Sequence, residues 1–231
     1  YLLYDNKKDF RYLWKKENFL VLISIIIPTL NESENIAPLI TSIFNYKKGA
    51  LEVIVSDGGS SDDTVQIAKS AGATVFIAPQ KGRAAQMNFG AKNATGSILY
   101  FVHADVKLNP DFEQDIYQAI NEGFSLGCYR YQFDSKKILL KINAFFTRFD
   151  KIWCRGGDQT LFVKRTCFES LGGYRDHFKI MEDYDFISRA RKEFKFKIIP
   201  KNEIVSARKY DTNSYLKVQL ANLKIMRMWK K

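Results

Sequence analysis

Short apolar runs alternate with longer amphipathic stretches over residues 20–111. The run from Phe19 to Ile27, interrupted by Ser24 and stopped by Pro28, predicts a buried strand over residues 23–27. A helix follows over residues 34–45. Pro38 fits that helix only in its first turn, where a missing N–H costs little, so a start near Ser33 or Asn35 is expected. Residues 51–56 predict a second strand. Ser61-Asp62-Asp63-Thr64 then predicts a capped helix with two acids in its first turn, running to Ser70. Residues 74–77 predict a third strand, and residues 83–92 a helix. The run over residues 97–102 predicts another buried strand, which ends abruptly in His103-Ala104-Asp105 and is followed by a helix over residues 111–121. Strands and helices alternating at this spacing imply βαβ units, and so an α/β fold with a central, mostly parallel sheet flanked by helices.

The second half changes character. Over residues 127–133, Cys128, Arg130 and Gln132 alternate with Tyr129, Tyr131 and Phe133, a half-exposed strand. Residues 136–153 are helical and aromatic-rich, with Ile138, Ile142, Phe145, Phe146 and Phe149 recurring at threes and fours. That stripe reads first as core-facing, with an acceptor-binding or membrane-facing role as the alternative. Near the end, Leu216, Leu220, Leu223 and Met226 share a helical face among Lys217, Lys224, Arg227, Lys230 and Lys231. Such a helix either packs on the domain or lies on an anionic membrane. No repeat or linker divides the chain. The expected organisation is an extension over residues 1–18 and a single domain over 19–231, with a nucleotide-binding half (19–111) and an acceptor-side half (112–231).

Composition narrows the classes. The 231 residues carry a net charge of +11, from 36 basic and 25 acidic residues. With no nucleic-acid signature beside it, this charge points to solubility or to anionic phosphates and lipid headgroups, and nucleic acid is not expected as a partner. No apolar stretch approaches the roughly 20 residues that span a bilayer, and the first residues lack a signal-peptide layout. Cys128, Cys154 and Cys167 are widely spaced without a C-x-x-C pair, which argues against structural zinc or a disulfide framework. A cytoplasmic protein is expected, with peripheral contact at the inner membrane face.

Candidate chemistry falls at strand ends and helix starts. Pro28-Thr29-Leu30-Asn31-Glu32 follows the first strand, and Asp57-Gly58-Gly59-Ser60 the second. Asp57 offers an acceptor to a base N–H or ribose hydroxyl, or simply makes a turn. Gly82-Arg83 opens a helix, which suits an anionic phosphate. Asp105 stands at the carboxyl end of a buried strand, where open α/β sheets bind ligands and where a carboxylate can hold a divalent cation. His103 is either a packed side chain or a ligand. Met181-Glu182-Asp183-Tyr184-Asp185 opens a further helix, as reactive carboxylates or as acids favoured by the helix dipole. Neither G-x-G-x-x-G after the first strand nor G-x-x-x-x-G-K-[ST] is present.

Taken together, SIIIPTLNESENI, VIVSDGGSSDDT, GRAAQMNFGAKNATGSILYFVHAD and MEDYDF resemble the successive motifs of family-2 glycosyltransferases with the GT-A, nucleotide-diphospho-sugar transferase fold. The resemblance spans roughly residues 22–208. The wording GRAAQMN, HAD, GDQ and MED is most similar to a bacterial subgroup, the radical-SAM/selenodomain-associated transferase 2 proteins. It implies a metal-dependent, inverting hexosyltransferase that moves a sugar from a UDP- or GDP-linked donor to an acceptor hydroxyl, a lipid-linked one included. Pro28, Thr29, Asn31, Glu32, Asp57, Gly58, Arg83 and Ala104 would bind the nucleotide, and Asp105 would hold Mg²⁺ or Mn²⁺. Asp183 would be the general base, with Gly157, Asp158, Gln159 and Glu182 on the acceptor side. Arg208 would reach the diphosphate or lie on the surface.

Two other readings compete. A sugar-phosphate nucleotidyltransferase shares a similar core but usually carries a basic Gly-rich loop after the first strand, where this chain has PTLNESENI. A phosphate- or membrane-surface binding protein without activity would not need Asp57, Asp105 and Glu182-Asp183 together. The sequence leaves the donor base, the sugar, the acceptor and the oligomeric state open.

Overall fold

In the computed structural model, which describes residues 21–155, 159–178 and 180–229, strand β1 (Ile23–Thr29) is buried at every position. Burial on both faces is what a central parallel strand requires, and it explains the unbroken isoleucines. The chain continues through α1 (Ser33–Tyr46), β2 (Leu51–Asp57), α2 (Thr64–Ser70), β3 (Thr74–Ile77) and α3 (Arg83–Asn93). Next come β4 (Ile98–Phe101), β5 (Val106–Lys107), α4 (Phe112–Asn121), β6 (Leu126–Phe133) and α5 (Ile138–Phe145). The remainder is β7 (Leu161–Lys164), α6 (Arg165–Ser170), α7 (Glu182–Ala190), β8 (Phe196–Val205) and α8 (Tyr215–Trp229).

The strands form an eight-stranded sheet in the order β3-β2-β1-β4-β7-β6-β8-β5. Strands β1 to β4 pair in parallel, β7 runs antiparallel to β4 and β6, and β6 is parallel to β8. One core layer joins Ile23, Ile25 and Ile27 to Ile36, Ile40 and Ile43 of α1 and to Phe112 and Ile116 of α4. The opposite layer joins Ile26, Leu99 and Phe101 to Met87 and Ala91 of α3 and to Phe186 and Ala190 of α7. The short pairing of β5 with β8, Val106 opposite Val205, matters most for the site. It brings the loop after β8 alongside the residues that follow β4.

Several expectations need correction. Strand β1 runs through Pro28 to Thr29, because β2 keeps pairing there after β4 has stopped at Phe101. Pro38 lies in the second turn of α1, not the first; it and Glu34 are exposed, so water can serve the carbonyl it leaves free. Helix α2 starts at Thr64, and the two acids precede it. Asp62 instead accepts bonds from the backbone of Ser33 and Thr64, which hold its carboxyl down at about 2, the Thr64 hydroxyl contributing most. Strand β6 is buried on both faces as far as Tyr129, since Cys128 is also enclosed. The aromatic stripe after it does not face the core: α5 buries only Leu140. Residues 1–18, expected to form an extension, lie outside the described residues.

One buried carboxyl group was not expected. Glu203 of β8 accepts hydrogen bonds from the Tyr100 hydroxyl (2.6 Å) and the Thr160 hydroxyl (2.7 Å), tying β8 to β4 and to the start of β7. Burial pushes its pKa from 4.5 up to about 7 against those bonds. A raised carboxyl pKa gives a contribution to stability that is complete below pH 4.5 and is lost as pH rises to about 7. Between those limits the loss is about 3 kcal/mol. Glu203→Gln should abolish this slope, as read by urea unfolding at pH 5 and pH 8; an identical slope in the variant would refute the assignment.

Candidate active site

Two clefts open side by side on the edge where β1, β2 and β4 end. The first, of about 440 Å³, is lined by Pro28, Thr29, Leu30 and Glu32 after β1, and by Gly82, Arg83 and Gln86 at the start of α3. His103, Ala104 and Asp105 after β4, and Ser206, Arg208 and Lys209 after β8, complete it. This is the crevice at the carboxyl ends of parallel strands where α/β folds take ligands. Arg208 forks onto both carboxylate oxygens of Glu32 at 2.6 and 3.1 Å and reaches Asp105 at 3.3 Å. The Glu32 bonds, foremost, raise the Arg208 pKa, so the arm stays charged. Glu32 also accepts from the Asn35 amide and, through its backbone N–H, donates to Thr64.

The turn beneath this cleft is built from the residues that sequence marked as nucleotide-binding. Asp57 is fully buried. Its carboxylate accepts from the Thr29 hydroxyl at 3.0 Å and from the Gly59 and Ser60 backbone at 2.8 Å. In this conformation Asp57 holds the turn and does not line the cleft. Asn31 is likewise outside it: its side chain accepts from Ser61 N–H at 2.8 Å, with the backbone at a φ of 55° that asparagine tolerates. Gln86 was missed as a structural residue. Its amide donates to the carbonyls of both Thr29 (2.7 Å) and Ser56 (2.9 Å), locking the ends of β1 and β2 together. Gly58 is needed opposite it, because a Cβ there would meet the Gln86 amide at 3.0 Å. Gln86 sits in the GRAAQMN segment, so its position was legible but its task was not.

The second cleft, of about 500 Å³, lies toward α5 and α8. Arg83, Asn143, Arg155, Asp183, Lys209, Gln219 and Asn222 are its polar members, among an otherwise largely aromatic and aliphatic lining that includes Tyr131, Phe146, Trp153, Tyr184, Leu223 and Met226. Arg83 and Lys209 line both clefts, so they mark the junction. The acidic cluster resolves into separate tasks. Asp185 pairs with Arg189 (2.8 Å) and Arg175 (3.3 Å), a structural role. Glu182 is buried and ion-paired to Arg83. Asp183 opens onto the second cleft from the first turn of α7. Just before it, Met181 holds a φ of 73°, a strained setting for a long side chain and common at functional sites. The Tyr174 phenol is pushed well above its usual value by burial, and by Asp183 and Glu182 beside it.

Arg155, also missed, is buried and donates to the carbonyls of Thr147 and Phe149 and to Cys128 Sγ, fixing the wall that carries Phe146 and Trp153. Gln159 is buried behind the site and donates to the Tyr129 carbonyl at 2.9 Å, lining neither cleft. Gly157 and Asp158 lie outside the described residues. Cys128, Cys154 and Cys167 are free and buried, and burial raises all three thiols.

Among the described residues no group of three or more His, Cys, Asp or Glu side chains could hold a metal by itself. Asp105, a partly exposed carboxylate in the cleft that also holds Glu32, fits Mg²⁺ or Mn²⁺, which commonly bind through one or two carboxylates plus substrate phosphates and water.

The eight-stranded α/β sheet matches the fold of several solved GT-A proteins. The fold is similar to a fragment of TarS from S. aureus, solved alone and with UDP, with a TM-score of 0.68, 18% identity, and coverage of 80% of this chain and 60% of that one. It is also similar to the mannosyltransferase PcManGT from Pyrobaculum calidifontis in complex with GDP-Man and Mn²⁺ (TM-score 0.65, 19% identity, 84% and 61% coverage). A PGL/p-HBAD biosynthesis glycosyltransferase of Mycobacterium bovis is 28% identical over 71% of this chain and 68% of its own. An uncharacterized glycosyltransferase of Rickettsia prowazekii is 38% identical over 41% of this chain, which spans only 31% of that protein. Residues 24–178 match the model of glycosyl transferase family 2. The chain belongs to that family, and it spans less than two thirds of the length of several of these relatives.

Proposed function

We propose that this chain is a metal-dependent, inverting glycosyltransferase of the radical-SAM/selenodomain-associated transferase 2 type, acting on a UDP- or GDP-linked sugar and an acceptor hydroxyl. The observation that carries the reading is the junction of the clefts: Asp105 lines one, Asp183 the other, and Arg83 and Lys209 line both. In this reading the nucleoside diphosphate occupies the first cleft, against Pro28, Thr29 and Ala104, over the turn that Asp57 and Gly58 hold. Asp57 reaches a nucleoside only by releasing one of its bonds to Thr29, Gly59 or Ser60, and Asn31 only by leaving Ser61. Arg208 turns from Glu32 and Asp105 toward the diphosphate. Asp105 would hold Mg²⁺ or Mn²⁺, which when bound offsets the negative charge developing on the leaving diphosphate.

Asp183 takes the proton from the acceptor hydroxyl as that oxygen attacks the anomeric carbon, opposite the departing diphosphate, so the anomeric configuration inverts. Glu182 keeps Arg83 at the junction. The apolar lining around Asp183 supports an acceptor hydroxyl carried on a lipid. The nucleotidyltransferase alternative gains nothing from the site: among the described residues the loop after β1 brings Glu32, not a cation, to the cleft. Presenting a panel of UDP- and GDP-sugars with Mn²⁺ and measuring nucleoside diphosphate release tests the reading. Release from one nucleotide class is expected; release of pyrophosphate from a nucleoside triphosphate and a sugar phosphate would favour the alternative.

A further inference from the structure

Helices α5 and α8 flank the second cleft, and both turn apolar side chains to solvent. On α5 and the turns after it, Ile138 is 73% exposed and Trp153 55%, with Ile142 and Phe149 also open. Helix α8 buries no residue, and Leu220 is 66% exposed. The sequence put the α5 stripe first toward the core, and the structure overturns that; α8 rests on the domain through Tyr215 and Val218 but leaves Leu216 and Leu220 open. The aromatic residues brace one another: Phe145 packs on Phe149 at 5.7 Å and Phe146 on Trp153 at 5.9 Å between ring centroids. They form a rigid ridge rather than loose exposed side chains. Large apolar side chains left open to water on two helices that flank one cleft mark an interaction site.

The charges around the ridge identify what it meets. Lys136, Lys141, Arg148 and Lys151 flank it on the α5 side, and Arg148 lies 3.8 Å over the Phe145 ring. Lys217, Lys224 and Arg227 flank it on α8, a helix without a single acid. On the α5 side the acid is Asp150, which is taken up by Arg191 at 2.8 Å. Aromatic and aliphatic side chains ringed by cations match the boundary between headgroups and acyl chains of an anionic bilayer. No helix among the described residues is long and apolar enough to cross a membrane.

We propose that the α5–α8 face seats the protein on an anionic phospholipid surface, with the cleft that holds Asp183 opening toward the bilayer. The seating stands on geometry and charge alone; its value for delivering a lipid-linked acceptor rests on the glycosyltransfer reading. The test is co-sedimentation of the full chain with vesicles of phosphatidylcholine alone and of phosphatidylcholine mixed with phosphatidylglycerol, at low and high salt. Partitioning onto the anionic vesicles should exceed that onto neutral ones at least about tenfold and weaken with salt, since each nearby cation adds to the attraction. Ile142→Glu combined with Leu220→Glu should abolish it, while donor hydrolysis by water stays at the parent level, because neither residue lines a cleft. Equal partitioning onto both vesicle types, or none at low salt, overturns the proposal. A chain that ignores vesicles and elutes as a dimer, with the double variant monomeric, assigns the face to a second copy instead. Vesicle binding without any response to nucleotide sugars would overturn the catalytic reading and leave the seating intact.

Discussion

Asp183→Asn should lower sugar transfer by about 10²- to 10⁴-fold, the usual contribution of a placed general base. The substitution is close to isosteric and removes only the ability to accept a proton. Asp183 is 6% exposed, on the first turn of α7. That turn is anchored independently by Asp185 with Arg189 and by Glu182 with Arg83, so the fold should not move. Donor binding should survive as well, because Asp183 lines the second cleft and not the first. The expected pattern is a collapse of kcat with an unchanged donor KM and an unchanged melting temperature. A variant retaining more than a tenth of the parent rate would remove Asp183 from the base role.

Asp105→Asn should act on the other half of the reaction. Losing the carboxylate that would hold the cation removes stabilisation of the leaving diphosphate, a loss of several kcal/mol of transition-state stabilisation, or about 10²- to 10³-fold in rate. Stability without ligand should hardly change. The Asp105 pair with Arg208 spans 3.3 Å at a side chain more than half exposed, and such pairs contribute little. Unlike Asp183→Asn, this variant should lose the metal-dependent part of donor binding. Steady-state kinetics across Mn²⁺ concentrations separate the two; an Asp105→Asn enzyme with parent-like metal dependence would disprove the ligand role.

How far the sequence could be read depended on the kind of interaction. Strands β1, β2 and β4 were legible because buried parallel strands demand unbroken apolar runs, which few other structures produce. Pro28, Glu32, Arg83, Ala104 and Asp105 were legible as cleft residues because strand ends and helix starts are where such folds expose polar groups. What stayed hidden was long-range. Asp57 reads in a line of letters as either a ligand contact or a turn residue, and only the bonds from Thr29 and Ser60 show that the turn claims its oxygens. Glu203 and Tyr100 are 103 residues apart, and nothing local announces their bond. The stripe on α5 has core-like periodicity, and periodicity reports that a face is apolar, not what it faces. Arg208 could not be assigned until the pairing of β5 with β8 set it beside Asp105.

On this reading the first cleft holds a nucleoside diphosphate sugar together with a divalent cation. Thermal unfolding of the full chain with UDP-GlcNAc, UDP-Glc and GDP-Man, each with and without Mn²⁺, tests it most directly through the linkage of ligand binding to folding. A rise in melting temperature for one nucleotide class, present only with Mn²⁺ and absent in Asp105→Asn, is the predicted result. No rise with any donor, or a rise indifferent to Mn²⁺ and to Asp105, would contradict it.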